Sequence, residues 1–94
     1  MTTVVVTPTA VRNLDVLIDT LSLPPSTRDR VKTSLEPLRR FPGLGATLDG
    51  RWAGFRFLLG PWRWMLVVYR YDEARDQVAI VTIRDARSAR SPRP

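Results

Sequence analysis

The stretch from Gly60 to Asp76 reads GPWRWMLVVYRYDEARD and contains a long strand-like run. We predict a strand from Trp62 to Tyr71, because this run is apolar almost throughout and rich in β-branched and aromatic side chains. Arg63 is its second residue and lies between two tryptophans, where desolvating a charge is costly. One face of this strand is therefore expected to support a polar, phosphate-directed surface.

Two more strands flank this run. They are predicted at Trp52–Leu59 and Gln77–Arg84, and both connections, Gly60-Pro61 and residues 72–76, have the length of a hairpin turn. The three strands should therefore form an antiparallel meander. Because the middle strand carries apolar residues on both faces, its sheet is expected to be covered on one side and partly covered on the other.

The first half of the chain predicts one strand and two helices. The β-branched segment Thr2–Thr7 ends at a proline, which favours an edge strand. Apolar residues at helical spacing predict helices over residues 10–21 and 27–41, and Pro37 should bend the second helix before one further turn. A loop rich in glycine follows from Phe41 to Gly54.

The predicted order β-α-α-β-β-β describes an α+β domain. Two helices should pack on one face of a small, mainly antiparallel, four-stranded sheet. Residues 1–87 are expected to form this single domain. The remaining segment, residues 88–94, is polar and rich in proline and is expected to be a flexible C-terminal tail.

The composition excludes several kinds of site. The 94 residues contain no cysteine and no histidine, which rules out disulfides, metal sites built on these residues and a histidine-based triad. We therefore expect no cofactor and no metal. The N-terminus lacks the features of a signal peptide, and no run approaches the roughly 20 apolar residues that span a bilayer. A cytoplasmic protein is expected.

The chain is strongly basic, with 15 Lys and Arg against 9 Asp and Glu and a net charge of +6. Fourteen of these cations are arginine. Arginine binds phosphate and carboxylate through a bidentate fork, so a nucleic acid or an acidic protein is the expected partner. Hairpin pairing should bring several strand-end arginines to one rim of the sheet. The predicted phosphate- or RNA-binding residues are Arg51, Arg56, Arg63, Arg84, Arg87 and Arg90.

The sequence resembles the RelE/ParE superfamily of bacterial toxins from type II toxin–antitoxin operons. The resemblance runs from VVVTPTAVRNLDVL through LEPLRRFPGLGATLDG to GFRFLLGPWRWMLVVYRYDE and VAIVTIRDAR, which is nearly the whole chain. It implies a small toxin neutralised by an antitoxin that wraps around it. Members similar to RelE cleave mRNA on the ribosome, and members similar to ParE poison DNA gyrase.

In the nuclease branch, basic residues hold the scissile phosphate. Arg56 falls on the second of two strand lysines of that branch and Gly54 on the first. Arg63 falls on its strand-start arginine, and Arg87, or else Arg84, on its C-terminal arginine. The tyrosine that follows in that branch has no counterpart here.

The resemblance therefore makes Arg56, Arg63 and Arg87 the candidate catalytic residues, all three supplying positive charge. RNA cleavage also needs a base, and arginine is a poor one because its pKa exceeds about 12. Asp85 is the remaining candidate base, although it could equally form an ion pair. The tyrosines at 69 and 71 lie too far along the strand from Arg63 and are expected to pack or to contact the antitoxin.

Three functions remain open on the sequence. The first is a ribosome-dependent mRNA endonuclease that inhibits translation, and the second is a gyrase inhibitor without nuclease activity. The third is a non-toxic member that acts only as a protein-binding module. A cognate antitoxin is the expected partner in each, with the ribosome and mRNA, or alternatively gyrase, as the target. Since aromatic residues are favoured at binding hot spots, the predicted antitoxin contacts are Trp52, Trp62, Trp64 and Tyr69.

Overall fold

The computed structural model describes residues 1–88. Its first strand, β1 (Thr3–Val6), leads directly into helix α1 (Pro8–Leu21). The Thr7 hydroxyl accepts a hydrogen bond from the Ala10 N–H at 3.3 Å and so caps the helix. Pro8 occupies the first helical turn, where a missing N–H leaves no hydrogen bond unmade.

Helix α2 (Thr27–Leu35) ends two residues before Pro37. A short 3₁₀ helix, Glu36–Arg39, continues the chain for one turn. Proline cannot donate the backbone hydrogen bond that a longer α-helix would need here. The interruption predicted at Pro37 and the further turn after it are therefore observed, but the α-helix ends there and a 3₁₀ turn follows.

The sheet has five strands in the order β1-β5-β4-β3-β2. Strand β1 runs parallel to β5, and every other pair is antiparallel. The predicted α+β class is confirmed, and the sheet has one strand more than expected because two residues of the glycine-rich loop pair with β3. The strands after α2 are β2 (Ala46–Thr47), β3 (Arg56–Leu59), β4 (Met65–Asp72) and β5 (Gln77–Asp85).

Strand β1 lies at an edge of the sheet, as predicted. It pairs only with the first half of β5, and α1 covers the edge where β1 ends. There the Asn13 side-chain oxygen accepts hydrogen bonds from the Ile83 N–H at 3.3 Å and from the Thr82 hydroxyl at 2.6 Å. Helix α1 thus satisfies part of the strand edge that β1 leaves unpaired.

Both faces of β4 are buried, which explains its nearly continuous apolar sequence. Met65, Val67 and Tyr69 face the helices and pack with apolar residues of α1, α2 and β5. Leu66 and Val68 face the other way and are covered by the segment around Leu48 and Trp52. The sheet therefore has a helix face and a second face that the loop before β3 partly covers.

Two strands begin later than the sequence predicts. Strand β3 begins at Arg56 rather than Trp52, because residues 50–52 form a 3₁₀ turn. Strand β4 begins at Met65 rather than Trp62, because the Met65 N–H closes a turn onto the Trp62 carbonyl at 3.0 Å. Arg63 consequently lies in a five-residue turn, Gly60–Trp64, which we call the β3–β4 turn. The prediction that Arg63 is the second residue of this strand is wrong.

Candidate anion-binding surface

Arg63 is exposed on the β3–β4 turn. The turn closes through a 2.8 Å hydrogen bond from the Gly60 N–H to the Met65 carbonyl. A Cβ at Gly60 would lie 2.9 Å from the Met65 sulfur, so the turn packs tightly on the first residue of β4. The side chains on either side of Arg63, Trp62 and Trp64, pack against the core on the helix face. Arg63 is thus a solvent-facing cation on an anchored turn.

The two tryptophans form the centre of a stack that we call the tryptophan stack: Arg30, Trp62, Trp64 and Arg87. The indole rings lie 6.0 Å apart at an interplanar angle of 18°. The Arg30 guanidinium from α2 lies 5.8 Å from the Trp62 ring, and that of Arg87 lies 5.0 Å from the Trp64 ring. Cation–π contacts at both ends therefore fasten the β3–β4 turn to α2 and to the segment after β5.

Arg87 also forms a bidentate ion pair with Asp85. Its Nε and Nη2 atoms donate to the two carboxylate oxygens at 2.9 and 2.7 Å, and its backbone N–H donates to Asp85 Oδ1 at 2.9 Å. These hydrogen bonds from Arg87 lower the pKa of Asp85 and raise that of Arg87. Asp85 is therefore a weaker proton acceptor than an ordinary aspartate, which argues against its predicted part as a base.

Arg84 lies at the same end of the sheet as Arg63 but on the second face. It pairs in register with Leu66, and its guanidinium lies 5.5 Å from the Trp52 ring. Its Nε atom donates to the Thr82 hydroxyl at 3.2 Å. The neighbouring Arg51 is exposed on the 3₁₀ turn. A second group of cationic and aromatic side chains thus lies across the sheet from the tryptophan stack.

Arg56 lies apart from the other predicted residues. It pairs in register with Tyr69, on the helix face, and its Nη1 atom donates to the carbonyls of Gly45 at 2.8 Å and Gly43 at 3.3 Å. Residues 66 and 69 of β4 point to opposite faces, so Arg56 and Arg84 cannot share a surface. The arginines predicted to lie on one rim of the sheet are therefore found in separate places. Arg87 packs on Trp64, the neighbour of Arg63 in the β3–β4 turn, Arg84 lies across the sheet with Arg51 near it, and Arg56 is bound to the glycine-rich loop.

The four aromatic residues predicted to contact the antitoxin differ in their exposure. Trp52, Trp62 and Trp64 are partly exposed, whereas Tyr69 is 0% exposed. The Tyr69 hydroxyl donates to the Pro42 carbonyl and accepts from the Gly45 N–H, both at 2.8 Å. A side chain enclosed in this way cannot touch a partner, so Tyr69 is corrected to a packing residue.

Tyr71 is also unsuited to chemistry at Arg63. Its hydroxyl donates to Asp76 at 2.9 Å, next to the β4–β5 turn and at the far end of β4 from Arg63. This hydrogen bond is the main cause that raises the pKa of Tyr71. Arg90 and most of the predicted C-terminal tail lie outside the described residues.

Sequence reasoning missed Arg30. It is 32 positions before Trp62 in a helix with other basic residues, and its contact depends on how α2 crosses the end of the sheet. No local pattern marks such a residue. Within residues 1–88, no cluster of three acidic, histidine or cysteine side chains could hold a metal ion. No helix in this part of the chain is long and apolar enough to cross a membrane.

Comparison with known proteins supports the fold assignment. The chain matches no known family profile and no curated protein sequence. It is similar to the crystal structure of the toxin–antitoxin complex RelBE2 from Mycobacterium tuberculosis, with a TM-score of 0.67 and 27% identity over 89% of this chain and 96% of that one. The solution structure of the conserved hypothetical protein HP0892 from Helicobacter pylori gives a TM-score of 0.60 and 16% identity over 90% and 94%, a likeness of fold alone. The resemblance seen in the sequence is confirmed at the level of structure: the chain has a RelE-like fold, similar to that of the RelBE2 structure.

Proposed function

We propose that this chain is the toxin of a type II toxin–antitoxin pair and acts as a ribosome-dependent mRNA endonuclease that inhibits translation. The observation that carries the proposal is the position of Arg63, an exposed residue that lies in the chain between Trp62 and Trp64, whose rings stack on each other and pack on the core. The anchored turn holds the backbone of Arg63, and its guanidinium can offer a bidentate fork to a phosphate from there. Arg87, whose guanidinium lies over the Trp64 ring, adds a second cation.

These groups suit charge stabilisation better than proton transfer. Cleavage by the 2′-hydroxyl of RNA needs a proton acceptor, an acid for the leaving oxygen and positive charge at the phosphate. Arg63 and Arg87 supply the charge, whereas Asp85 is a weakened base and Tyr69 is enclosed. In this proposal, the ribosome contributes by holding the message in a reactive orientation.

An antitoxin is the proposed protein partner, because the similar M. tuberculosis structure is a toxin–antitoxin complex. Two features of this chain support such a partner. The edge segment Thr2–Thr7 carries no charge, and its Val5 and Val6 are exposed, although exposed edge strands usually carry charges that prevent association. Beside it, an apolar groove of about 140 Å³ between α1 and α2 has Lys32 and the ion pair of Arg28 with Asp15 at its border. An apolar segment would complement this surface.

The second candidate is inhibition of DNA gyrase. The observation that favours it is the shortage of a proton acceptor beside Arg63 and Arg87, because Asp85 is already paired with Arg87. A gyrase inhibitor needs binding surface but no base. The same cations would then contact the gyrase–DNA complex.

The proposal is tested by expressing the chain without an antitoxin and mapping the 5′ ends of cellular mRNA. We expect growth arrest with new mRNA ends, and loss of both when Arg63 is changed to Ala. A charge-assisted phosphate contact contributes about 1.5–3 kcal/mol, so translation inhibition in a purified system should weaken roughly 10- to 100-fold. Arg75→Ala removes the same charge from the exposed β4–β5 turn and should leave inhibition unchanged.

Three results would contradict this proposal in whole or in part. Growth arrest without new mRNA ends, together with blocked supercoiling by purified gyrase, would identify the second candidate. Normal growth on expression would leave only a protein-binding function. Equal losses of inhibition in Arg63→Ala and Arg75→Ala would mean that net charge alone, rather than the β3–β4 turn, determines activity.

A further inference from the structure

We propose that the Asp85 carboxylate occupies a phosphate-binding position on Arg87 and is displaced when a phosphate group binds there. This inference deepens the proposed function, since Arg87 is one of its two phosphate-binding cations. The ligand class is a phosphate group, as in the backbone of single-stranded RNA. Asp85 then acts as an internal counter-ion that sets the affinity of the site.

The first step of the argument is geometry. Asp85 accepts two side-chain hydrogen bonds from one edge of the Arg87 guanidinium, at 2.9 and 2.7 Å. Two oxygens of a phosphate bind the same edge of an arginine in the same fork-to-fork arrangement. The carboxylate therefore holds the position that two phosphate oxygens would take.

The second step is that the cation keeps its place when its counter-ion leaves. The Arg87 guanidinium lies 5.0 Å from the Trp64 ring, and Trp64 is stacked on Trp62 and packs on the core. A 2.7 Å hydrogen bond from the Ala86 N–H to the Trp64 carbonyl holds the adjoining backbone. These contacts are independent of Asp85, so a phosphate would meet a cation that is already positioned.

The third step is that replacing the Asp85 carboxylate by a phosphate on Arg87 costs little free energy. The side chain of Arg87 is 63% exposed and that of Asp85 is 22% exposed, so water reaches the pair. Because water and salt screen both charges, this bidentate pair costs less free energy to separate than a buried pair. The phosphodiester of an RNA backbone carries one negative charge, as the carboxylate does, and binds the same edge of the guanidinium, so the two can compete for it.

The fourth step concerns the electrostatic field around the turn. Asp85 pairs in register with Met65, the first residue after the β3–β4 turn. The lowered pKa of Asp85 keeps its carboxylate ionised at neutral pH. A fixed negative charge therefore lies beside the turn that presents Arg63, and its removal should strengthen the attraction for anions at both arginines.

The test is a titration of the purified chain with inorganic phosphate at low ionic strength, followed by NMR at the arginine Nε–H groups. In the wild type, the Arg87 Nε–H signal should shift as phosphate replaces the carboxylate. Asp85→Asn keeps the size and a hydrogen-bond acceptor but removes the charge. It should lower the Kd for phosphate about fivefold, which corresponds to the upper range for an exposed ion pair.

Asp72→Asn is the matched control, because Asp72 also pairs with an arginine, Arg75 at 3.8 Å, but at the opposite end of β4. It should change the Kd for phosphate less than about twofold. Arg87→Ala should abolish the response to Asp85→Asn. Asp85→Ser, a shorter neutral variant, should also lower the Kd for phosphate. It keeps the test available if the asparagine variant does not fold.

An unchanged or weaker affinity in folded Asp85→Asn would overturn the inference. If that variant also lost translation inhibition, Asp85 would instead be needed as a base or to hold Arg87 in place. The phosphate titration uses neither ribosome nor message, so the two proposals fail separately. Tighter phosphate binding in a chain that does not inhibit translation would support the internal counter-ion and reject the endonuclease.

Discussion

Gly45 lies at the closest approach between the glycine-rich loop and the sheet. A Cβ at this position would lie 2.6 Å from the Phe57 carbonyl oxygen and 2.7 Å from the Tyr69 ring and hydroxyl. The Gly45 N–H also donates to that hydroxyl. Burial raises the pKa of Tyr69, which keeps the hydroxyl protonated and able to donate to Pro42. The absence of a side chain at Gly45 therefore lets the loop come close enough to hydrogen-bond with the Tyr69 hydroxyl.

We predict that Gly45→Ala destabilises the fold. The Phe57 carbonyl belongs to the sheet and cannot move aside easily, so the cost should be about 1–3 kcal/mol, as for other overpacked sites. The measurement is the midpoint of urea unfolding at constant m. The control is Gly43→Ala, two residues earlier in the same loop, where an added Cβ meets nothing within 4 Å. Equal midpoints for the two variants would show that the loop can shift to accept the methyl group.

Strand β1 is fastened to the rest of the sheet through Asp76. The Thr3 N–H donates to the Asp76 carbonyl at 3.1 Å. The hydroxyls of Thr2 and Tyr71 donate to one oxygen of the Asp76 carboxylate, at 2.7 and 2.9 Å. Asp76 itself has a φ of 48°, which aspartate and asparagine adopt more readily than most residues. A single turn residue thus joins the N-terminal strand to β4 and β5.

The charge of Asp76 should make the attachment of β1 depend on pH. The hydrogen bonds from Thr2 and Tyr71 lower the pKa of Asp76 in the folded chain. A lowered folded pKa stabilises the fold above the pKa of the unfolded chain, and this contribution disappears as the pH falls through the folded pKa. We therefore expect part of the free energy of unfolding to be lost between about pH 5 and pH 2.

Asp76→Asn tests this dependence, because asparagine tolerates the same backbone conformation without the charge. The variant should be less stable than the wild type at neutral pH, and its free energy of unfolding should fall less on acidification. The measurement is a series of urea unfolding curves across this pH range. Asp19→Asn, on the exposed side of α1, should keep the wild-type slope. A wild-type slope in Asp76→Asn would mean that other carboxylates cause the acid sensitivity.

At the level of helices and strands, the spacing of apolar residues in the sequence predicted which faces are buried. The alternating residues of β4 and of the first half of β5, with the helical spacing of Leu14, Val31 and Leu35, were sufficient to place the helices against the sheet. The start of β4 was not predictable in this way. Trp62 and Trp64 suit a strand by propensity, but their stacking on each other and on two distant arginines favours a turn.

Across the whole molecule, the number of cations was evident from the sequence but their grouping was not. Arg30 and Arg87 are 57 positions apart, yet they lie at the two ends of one stack. Arg56 and Arg84 lie on opposite faces because the pairing of β4 with β5 shifts by one residue between Val68 and Tyr69, and this irregularity places Arg84 opposite Leu66. The candidate site was therefore only partly predictable: Arg63 and Arg87 both adjoin Trp64, but the single rim of arginines does not exist.

This grouping makes a prediction about salt. Binding of a polyanion releases one set of counterions for each phosphate that a protein cation neutralises, so the logarithm of the binding constant falls linearly with the logarithm of the salt concentration. For single-stranded RNA, each phosphate contact contributes about 0.7 to this slope. If Arg63 contacts a phosphate, Arg63→Ala should reduce the slope measured with a short RNA oligonucleotide by about that amount.

Arg75→Ala separates a contact from a general effect of charge. It lowers the net charge of +6 by the same single unit, but Arg75 lies at the β4–β5 turn, at the other end of β4 from Arg63. A distant charge changes the overall field without releasing counterions from a particular phosphate, so the slope should stay at the wild-type value. Equal slopes in the two variants would mean that RNA is attracted by the charge of the whole molecule and that the β3–β4 turn presents no phosphate-binding arginine.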